Sequence, residues 1–268
     1  MQYKIDNQTL GYHSEGETTI GEDHVLLHNA IDLTDQMDWH NKGFSIEELF
    51  TTQSRILFEE KTRQLLLKFW KEVNPSINDQ FTLDQYHHVF SNQEAHLKVI
   101  DRTKLISVDH FPINILELEK RISFLLKREL KVHNPFDDQN VFHFRIVRPQ
   151  SGDNNPLHRD VWLPDYKDCI NLYIPIAGSN SNSSLVLVAG SHLWPESKLE
   201  KTKQGAIING QRFNVPAVTN IFEEPEFVRP NPKLGEVLLF SPYLIHGGSI
   251  NLNKDLTRIS IEIRLWSK

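Results

Sequence analysis

Histidine and carboxylate side chains recur at short, defined spacings in two distant parts of the chain. His158 and Asp160 stand two residues apart in the segment Pro156-Leu157-His158-Arg159-Asp160, which follows a stretch rich in turn residues. His246 lies far downstream and precedes two glycines. Side chains i and i+2 of an extended segment point the same way, so His158 and Asp160 could reach one metal ion. Two imidazoles and one carboxylate leave open positions on a metal, as in non-haem Fe(II) sites.

The third ligand remains open from the pattern alone. His246 follows the apolar run Glu236–Phe240, and His192 also ends an apolar run. A jelly roll returns to a neighbouring strand through long connections, which favours the more distant His246. The plain alternative is a surface His158 and Asp160 in a loop, because a two-residue spacing is a weak signal.

Charged side chains alternate along the last strand-like segment. Arg258, Ser260, Glu262 and Arg264 would share one face of a strand. An inward-facing arginine can hold a carboxylate with two N–H groups. We expect Arg258 to take this role with Ser260 as a second donor, and Arg264 is the competing candidate. A solvated, charged strand face is the alternative interpretation.

The elements that position these residues change character near the middle of the chain. Apolar spacing predicts a helix from Ser45 to the break at Pro75, a second from Thr82 to about Ile106, and a third from about Ile113 to Val132. We interpret all three as packing helices. His87, His88 and His96 fall on the second helix, where the sequence offers no carboxylate partner to complete a site.

Strand-like segments dominate from residue 141 to the end, whereas residues 1–45 show only short pieces such as 25–27. The predicted strands are 141–148, 169–176, 185–188, 236–240 and 257–266. Short strands separated by Gly, Asn and Pro turns are typical of a sandwich or barrel. We therefore expect one α+β domain, with a mainly helical part at 1–138 packed outside a strand-rich core at 139–268.

Composition excludes several function classes. A net charge of -6 at pH 7 argues against a nucleic-acid-binding face. Cys169 is the one cysteine, so no intrachain disulfide can form, and we expect it to be reduced on a buried strand. The sequence has neither a secretory signal pattern nor a membrane-length apolar run. We expect a cytoplasmic protein with a small-molecule substrate and no membrane partner.

Several motifs in order resemble the phytanoyl-CoA dioxygenase (PhyH-like) branch of the Fe(II)/2-oxoglutarate oxygenases. The resemblance covers about residues 139–266. Its motifs here are Pro156-Leu157-His158-Arg159-Asp160, Gly190-Ser191-His192, Ile245-His246-Gly247 and Arg258. The family commonly has Gln where this chain has Arg159. An outward Arg159 would be harmless, and an inward one would alter the substrate pocket.

The resemblance implies a double-stranded β-helix (a cupin-like jelly roll) with the N-terminal helices packed outside its major sheet. It implies that His158, Asp160 and His246 hold Fe(II), whereas His192 falls on a turn that is not a ligand. It also implies that Arg258 binds the cosubstrate 2-oxoglutarate. Two further residues, Asn171 and Tyr173, match positions that line the cosubstrate pocket.

The activity implied by the resemblance is hydroxylation of a small soluble metabolite, using O2 and releasing succinate and CO2. Halogenation would need the carboxylate's coordination position, which Asp160 occupies. A cupin-like isomerase or epimerase, or a non-catalytic small-molecule-binding jelly roll, remains the alternative. Trp162, Arg145 and His143 are the candidate substrate contacts.

Overall fold

The computed structural model describes residues 1–5, 8–137, 140–152, 155–247 and 250–267. Part of the turn-rich loop predicted at 150–156 lies outside the described residues. The same holds for Gly248, for Ser249 and for the expected boundary at residues 138 and 139.

In the described residues of the first half of the chain there are four α-helices: α1 (Thr52–Val73), α2 (Tyr86–Val89), α3 (Gln93–Thr103) and α4 (Ile115–Leu126). Short 3-10 helices span Leu26–Asn29, Leu83–Gln85, Val108–His110, Asp160–Trp162, Pro164–Tyr166, Ser191–Leu193 and Glu196–Lys198.

Strands occur along the whole chain. They are β1 (Gln2–Ile5), β2 (Gln8–Gly11), β3 (Thr18–Ile20), β4 (Phe44–Glu48), β5 (Ile106–Ser107), β6 (Leu130–Lys131), β7 (Val141–Val147), β8 (Cys169–Ala177), β9 (Val186–Val188), β10 (Leu199–Thr202), β11 (Ala206–Ile208), β12 (Gln211–Phe213), β13 (Val218–Ile221), β14 (Phe227–Val228), β15 (Glu236–Phe240), β16 (His246–Gly247) and β17 (Arg258–Ser267).

Helix capping explains where the predicted helices were wrong. The first begins at Thr52 instead of Ser45, because the Thr51 hydroxyl accepts the Ser54 N–H. The second is divided, since the Asn92 side chain accepts the Ala95 N–H and starts α3 anew. The third ends early, at Lys127, whose φ of 53° is left-handed.

The strands form a jelly roll, which confirms the predicted fold class. The major sheet has the order β4-β15-β8-β17-β7-β5, with β6 also paired to β17, and every pairing is antiparallel. A smaller sheet has the order β14-β9-β16. A layer of buried side chains joins the two sheets: Tyr173, Leu185, Leu187, Leu238, Phe240 and Leu244.

Alternation along β17 shows where the helices pack. Its odd-numbered residues belong to the largest apolar cluster, together with buried side chains of α1, α3 and α4: Ile259, Ile261, Ile263 and Leu265. Its even-numbered residues therefore face the other way, towards the smaller sheet. The helices lie on the outside of the major sheet, as predicted.

The N-terminal part also supplies strands. Residues 44–48, expected to begin a helix, instead form β4 and pair with β15 at the sheet edge. Strand β3 pairs with β10. The piece at 25–27, expected to be strand-like, precedes and enters a 3-10 helix. Cys169 is buried on β8 and unpaired, in agreement with its prediction. None of the described helices has the length and apolar character to cross a membrane.

Candidate active site

His158, Asp160 and His246 lie together between the two sheets. The Nε2 atoms of His158 and His246 are 3.2 and 3.5 Å from Oδ1 of Asp160. One ligand atom from each residue lies within 4.8 Å of the other two, and all three residues are buried. Folding thus brings the segment of His158 and Asp160 next to that of His246, although the two segments are far apart in the sequence.

Backbone hydrogen bonds orient both imidazoles. Nδ1 of His158 lies 2.7 Å from the Pro156 carbonyl oxygen, and Nδ1 of His246 lies 2.9 Å from that of Leu244. A carbonyl oxygen can only accept, so each Nδ1 donates and each neutral ring keeps the Nε2 lone pair towards Asp160. Metal-binding histidines use this arrangement.

A single β-bridge holds the two histidines in register. The His158 N–H donates to the His246 carbonyl and the His246 N–H to the His158 carbonyl, both at 2.9 Å. Gly247 follows with a φ of +104°. A Cβ there would lie 2.5 Å from the Pro156 carbonyl oxygen and 3.1 Å from Nδ1 of His158. Only glycine lets the two segments approach this closely.

Arg264 holds the remaining oxygen of Asp160. Its Nε and Nη2 donate to Oδ2 at 3.1 and 2.8 Å, and its guanidinium lies 4.2 Å from the centre of the Tyr166 ring. With Oδ2 engaged, Oδ1 is the oxygen presented to the histidines. In the sequence, Arg264 competed with Arg258 as the residue that would bind the carboxylate of a ligand. In the structure, Arg264 binds the carboxylate of Asp160 instead.

The charge states of the buried cluster suit a cation. Burial by itself would raise the pKa of Asp160, but Arg264 and the two imidazoles hold it well below its usual range. Burial, reinforced by His158, lowers the pKa of His246 to about 4. At neutral pH, Asp160 is therefore an anion and His246 a neutral ligand. Two lone-pair nitrogens facing a carboxylate oxygen fit a divalent first-row metal ion.

A cavity lies next to His158, Asp160 and His246, and the buried Arg258 lines it. The Arg258 guanidinium lies 5.7 Å from the centre of the Tyr173 ring. The Tyr173 hydroxyl lies 2.7 Å from Oγ of Ser179. Ser260 and Asn171 are buried on neighbouring strands of this face. Within the described chain, neither the Ser260 hydroxyl nor the Asn171 amide has a hydrogen-bond partner. Buried polar atoms of this kind fit a polar ligand.

The cavity above the cluster has a volume of ≈ 140 Å³. Arg145 and His143 line it from β7, and the Arg145 Nε donates to Glu262 at 2.7 Å. Burial, followed by Arg145 and Arg264, lowers the pKa of His143 to about 3. Burial would raise the pKa of Glu262, but Arg145 brings it down to about 2. The cavity wall thus carries a fixed pair of opposite charges.

Other residues close the cavity from outside the sheets. Helix α3 contributes Gln93, Leu97 and Ile100, the residue after it contributes Lys104, and strand β12 contributes Gln211 and Phe213. The spacing of α3 predicted a packing helix, but it gave no sign that one edge would face the cavity. In the sequence, Glu262 is only a charged neighbour of Arg258 on the same strand face. The alternation of charges along β17 is the signal that could have identified it.

Three residues singled out in the sequence point away from the cavity. The Trp162 indole N–H donates to Glu196 at 2.9 Å, and Lys201 lies over its ring at 4.3 Å. Arg159 is fully buried against Glu196 and the Ser191 carbonyl oxygen. It therefore does not alter the substrate pocket. Nε2 of His192 lies 2.8 Å from the His40 carbonyl oxygen, away from Asp160. Among the described residues, none of the three lines the cavity.

Comparison with known families gives one match. The family "Phytanoyl-CoA dioxygenase (PhyH)" matches residues 77–260, which is more than half of the chain. The matched segment contains α2, α3, α4 and the three metal-ligand candidates His158, Asp160 and His246. No curated protein matches the sequence at a significant level.

Three solved structures are similar to this chain at low identity. AviO1 from Streptomyces viridochromogenes Tue57 is 14% identical, with 88% of this chain and 95% of that chain covered and a TM-score of 0.49. EctD from S. alaskensis with 2-oxoglutarate and 5-hydroxyectoine is 15% identical, with coverage of 96% and 86% and a TM-score of 0.47. SnoK, an alpha ketoglutarate dependent carbocyclase from nogalamycin biosynthesis, is 12% identical, with coverage of 89% and 87% and a TM-score of 0.48.

Proposed function

The chain belongs to the phytanoyl-CoA dioxygenase family of Fe(II)- and 2-oxoglutarate-dependent oxygenases, and on that premise we propose that it hydroxylates a small, charged metabolite. When bound, Fe(II), 2-oxoglutarate and O2 supply the oxidation of a C–H bond to C–OH, with succinate and CO2 as co-products. The observation that carries the proposal is the buried convergence of His158, Asp160 and His246 beside an open cavity.

The three converging residues would hold the metal. His158 and His246 offer Nε2, and Asp160 offers Oδ1, because its Oδ2 is engaged by Arg264. Three protein ligands leave the remaining coordination positions for cosubstrate and O2. Burial keeps the carboxylate and imidazoles away from competing water, so their charge and lone pairs act at full strength on the ion.

Arg258 would bind the distal carboxylate of 2-oxoglutarate. A buried guanidinium can donate two N–H groups to a carboxylate in one plane. Ser260 and Asn171 supply a hydroxyl and an amide without partners in the described chain, and Tyr173 packs next to Arg258. The set offers charge for one end of a dicarboxylate and hydrogen bonds along its length.

The substrate would contact Arg145, His143 and Glu262. The Arg145–Glu262 pair places a cation and an anion at 2.7 Å on the cavity wall. A substrate with a charged group could exchange partners with one member of the pair, which a purely apolar substrate could not do. The neutral imidazole of His143 adds a hydrogen-bonding group. Trp162 lies elsewhere, so we do not assign it a substrate contact.

A coupled assay tests this function. The purified chain is given Fe(II), 2-oxoglutarate and a panel of small amino acids, amines and carboxylic acids, and succinate is measured for each. The expected result is substrate-stimulated succinate release. Mass spectrometry with ¹⁸O2 should show one labelled oxygen in the product. The His158→Ala variant is the matched control and should release no succinate.

Two outcomes would overturn parts of the proposal. Succinate release coupled to a product without labelled oxygen would reject hydroxylation in favour of another oxidative outcome. Absence of Fe(II)-dependent 2-oxoglutarate binding by the wild-type chain would reject the oxygenase function itself and favour a non-catalytic binding jelly roll.

A further inference from the structure

A second group of two imidazoles and one carboxylate lies at the surface, remote in sequence from the buried one. We propose that His87, His88 and Asp255 bind a zinc ion, with water completing its coordination. This surface cluster joins α2 to the loop that precedes β17. The sequence predicted no carboxylate partner that would complete a site with these histidines, and this expectation was wrong, because Asp255, 168 residues after His87, lies beside both rings.

The distances between the donor atoms match a shared ion. Nε2 of His87 lies 2.9 Å from Oδ1 of Asp255, and Nε2 of His88 lies 3.2 Å from the same oxygen. Ligands at 2.0 to 2.2 Å from a tetrahedral zinc are separated by about 3.3 Å. All three donor atoms lie within 4.8 Å of one another. Small side-chain shifts are therefore enough to place an ion between them.

An outer contact fixes the orientation of the His87 ring. Nδ1 of His87 lies 2.9 Å from the Thr257 hydroxyl oxygen, so Nε2 is directed at Asp255. The ring of His88 packs against that of His87 at 4.2 Å between centres, which turns its own Nε2 the same way. Zinc-binding histidines characteristically have their second ring nitrogen held by such a partner.

The backbone around the surface cluster is tied together independently of these side chains. The Thr257 N–H donates to the Asp84 carbonyl at 2.8 Å, and the Gln85 side chain donates to the Asp255 carbonyl at 3.1 Å. The loop and the helix thus stay in place without an ion. A preformed site of this kind loses less conformational entropy on binding.

The surroundings favour zinc over iron. The side chains of His87, His88 and Asp255 are 15%, 56% and 67% exposed, so an ion can enter from solvent and keep a water ligand. For nitrogen and oxygen ligands, affinity rises from Fe(II) to Zn(II). The surface cluster would thus differ from the buried one in accessibility. Bound zinc would also tie the loop before Arg258 to α2.

Zinc stoichiometry tests the proposal. The full-length, metal-free chain is dialysed against zinc, and bound metal is counted by inductively coupled plasma mass spectrometry. We expect two equivalents for the wild type and one for the double variant His158→Ala, His246→Ala. Adding His88→Ala to that double variant should remove the last equivalent. His28→Ala, which changes an exposed histidine outside both clusters, should leave two.

The single variants His88→Ala and Asp255→Asn in the otherwise unchanged chain keep the test valid if the double variant does not fold. Each is expected to bind one zinc and to lose part of the zinc-induced rise in melting temperature. The proposal is overturned if the folded double variant binds no zinc. It is equally overturned if His88→Ala and Asp255→Asn still bind two.

Discussion

Two clusters in this protein use the same side chains in opposite surroundings. In the buried cluster, the side chains of His158, Asp160 and His246 are 5%, 3% and 9% exposed. In the surface cluster, the corresponding values are 15% and 56% for the histidines and 67% for Asp255. Ligand type therefore does not distinguish them. The difference lies in what surrounds the ligands.

Burial makes the supporting partners necessary. A carboxylate removed from water is destabilised unless it is paired, and Arg264 provides that pair for Asp160. Backbone carbonyls hold both buried imidazoles, whereas the surface cluster has one hydroxyl, that of Thr257. The buried cluster is consequently rigid and opens to a cavity, while Asp255 at the surface is largely solvated.

The largest expected contrast concerns turnover. His158→Ala removes a metal ligand from the buried cluster and should abolish substrate-dependent succinate release, with the circular dichroism spectrum retained. His28→Ala should retain wild-type turnover, since that residue touches neither cluster. Succinate release by His158→Ala at the wild-type rate would show that the buried cluster is not the reaction centre.

Arg258→Gln tests the cosubstrate assignment. A hydrogen bond to a charged group contributes about 1.5 to 3 kcal/mol, so its loss should weaken 2-oxoglutarate binding about 10- to 150-fold. Fe(II) binding should change little, because Arg258 is not among the metal-ligand candidates. Isothermal titration with 2-oxoglutarate and with Fe(II) measures the two affinities separately. The exposed Arg212→Gln is the control. A wild-type 2-oxoglutarate Kd in Arg258→Gln would contradict the assignment.

Arg264→Gln tests how much the arginine that holds Asp160 contributes to metal affinity at the buried cluster. Loss of an outer-shell partner typically costs about 10- to 100-fold in metal affinity, and we expect this loss for Fe(II) at the buried cluster. Zinc affinity at the surface cluster should be unchanged in the same protein, which makes it an internal control. Competition with a chelator under anaerobic conditions measures both. Equal weakening at the two clusters would indicate general misfolding instead of a local effect.

Gly247→Ala tests the close approach of the two histidine segments. The added Cβ meets the Pro156 carbonyl oxygen at 2.5 Å, and the backbone φ is positive, so we expect destabilisation of about 1 to 3 kcal/mol. Gly16→Ala is the matched control, because Gly16 has a φ of +121° but nothing within 4 Å of the added Cβ. Urea unfolding gives both values. If the two variants lose similar amounts of stability, the positive φ alone, and not crowding at His158, would account for the loss.

The smallest effect is a loss of stability in mild acid. Burial lowers the pKa of both His192 and His246 to about 4, from 6.5. The unfolded chain therefore binds more protons below pH 6.5, and stability falls as the pH drops towards 4. Between pH 7 and 5.5 we expect about 1 kcal/mol per buried imidazole in the metal-free protein. A urea midpoint that stays constant over this range would contradict the burial of neutral imidazoles.

The spacing of a few residues was enough to predict much of the fold and the buried cluster. His158 and Asp160 are local neighbours, so an extended backbone brings them together regardless of the rest of the chain. Strand-like runs between turn residues likewise predicted β7, β8, β15 and β17 to within a residue or two. Apolar periodicity predicted the existence of the helices, although not their ends. The strand β4 was missed because pairing with β15, not local preference, makes it a strand.

Local pattern alone left some residues alike in the sequence, and the tertiary structure shows which partner each one meets. His192 and His246 both end apolar strands, and the backbone bridge to His158 places His246, not His192, beside Asp160. Arg258 and Arg264 share a strand face, and the position of Asp160 separates their roles. Asp255 joins His87 and His88 by folding across the chain. Local patterns determine which way a side chain points along its own strand or helix, whereas the partner it meets depends on how distant segments pack.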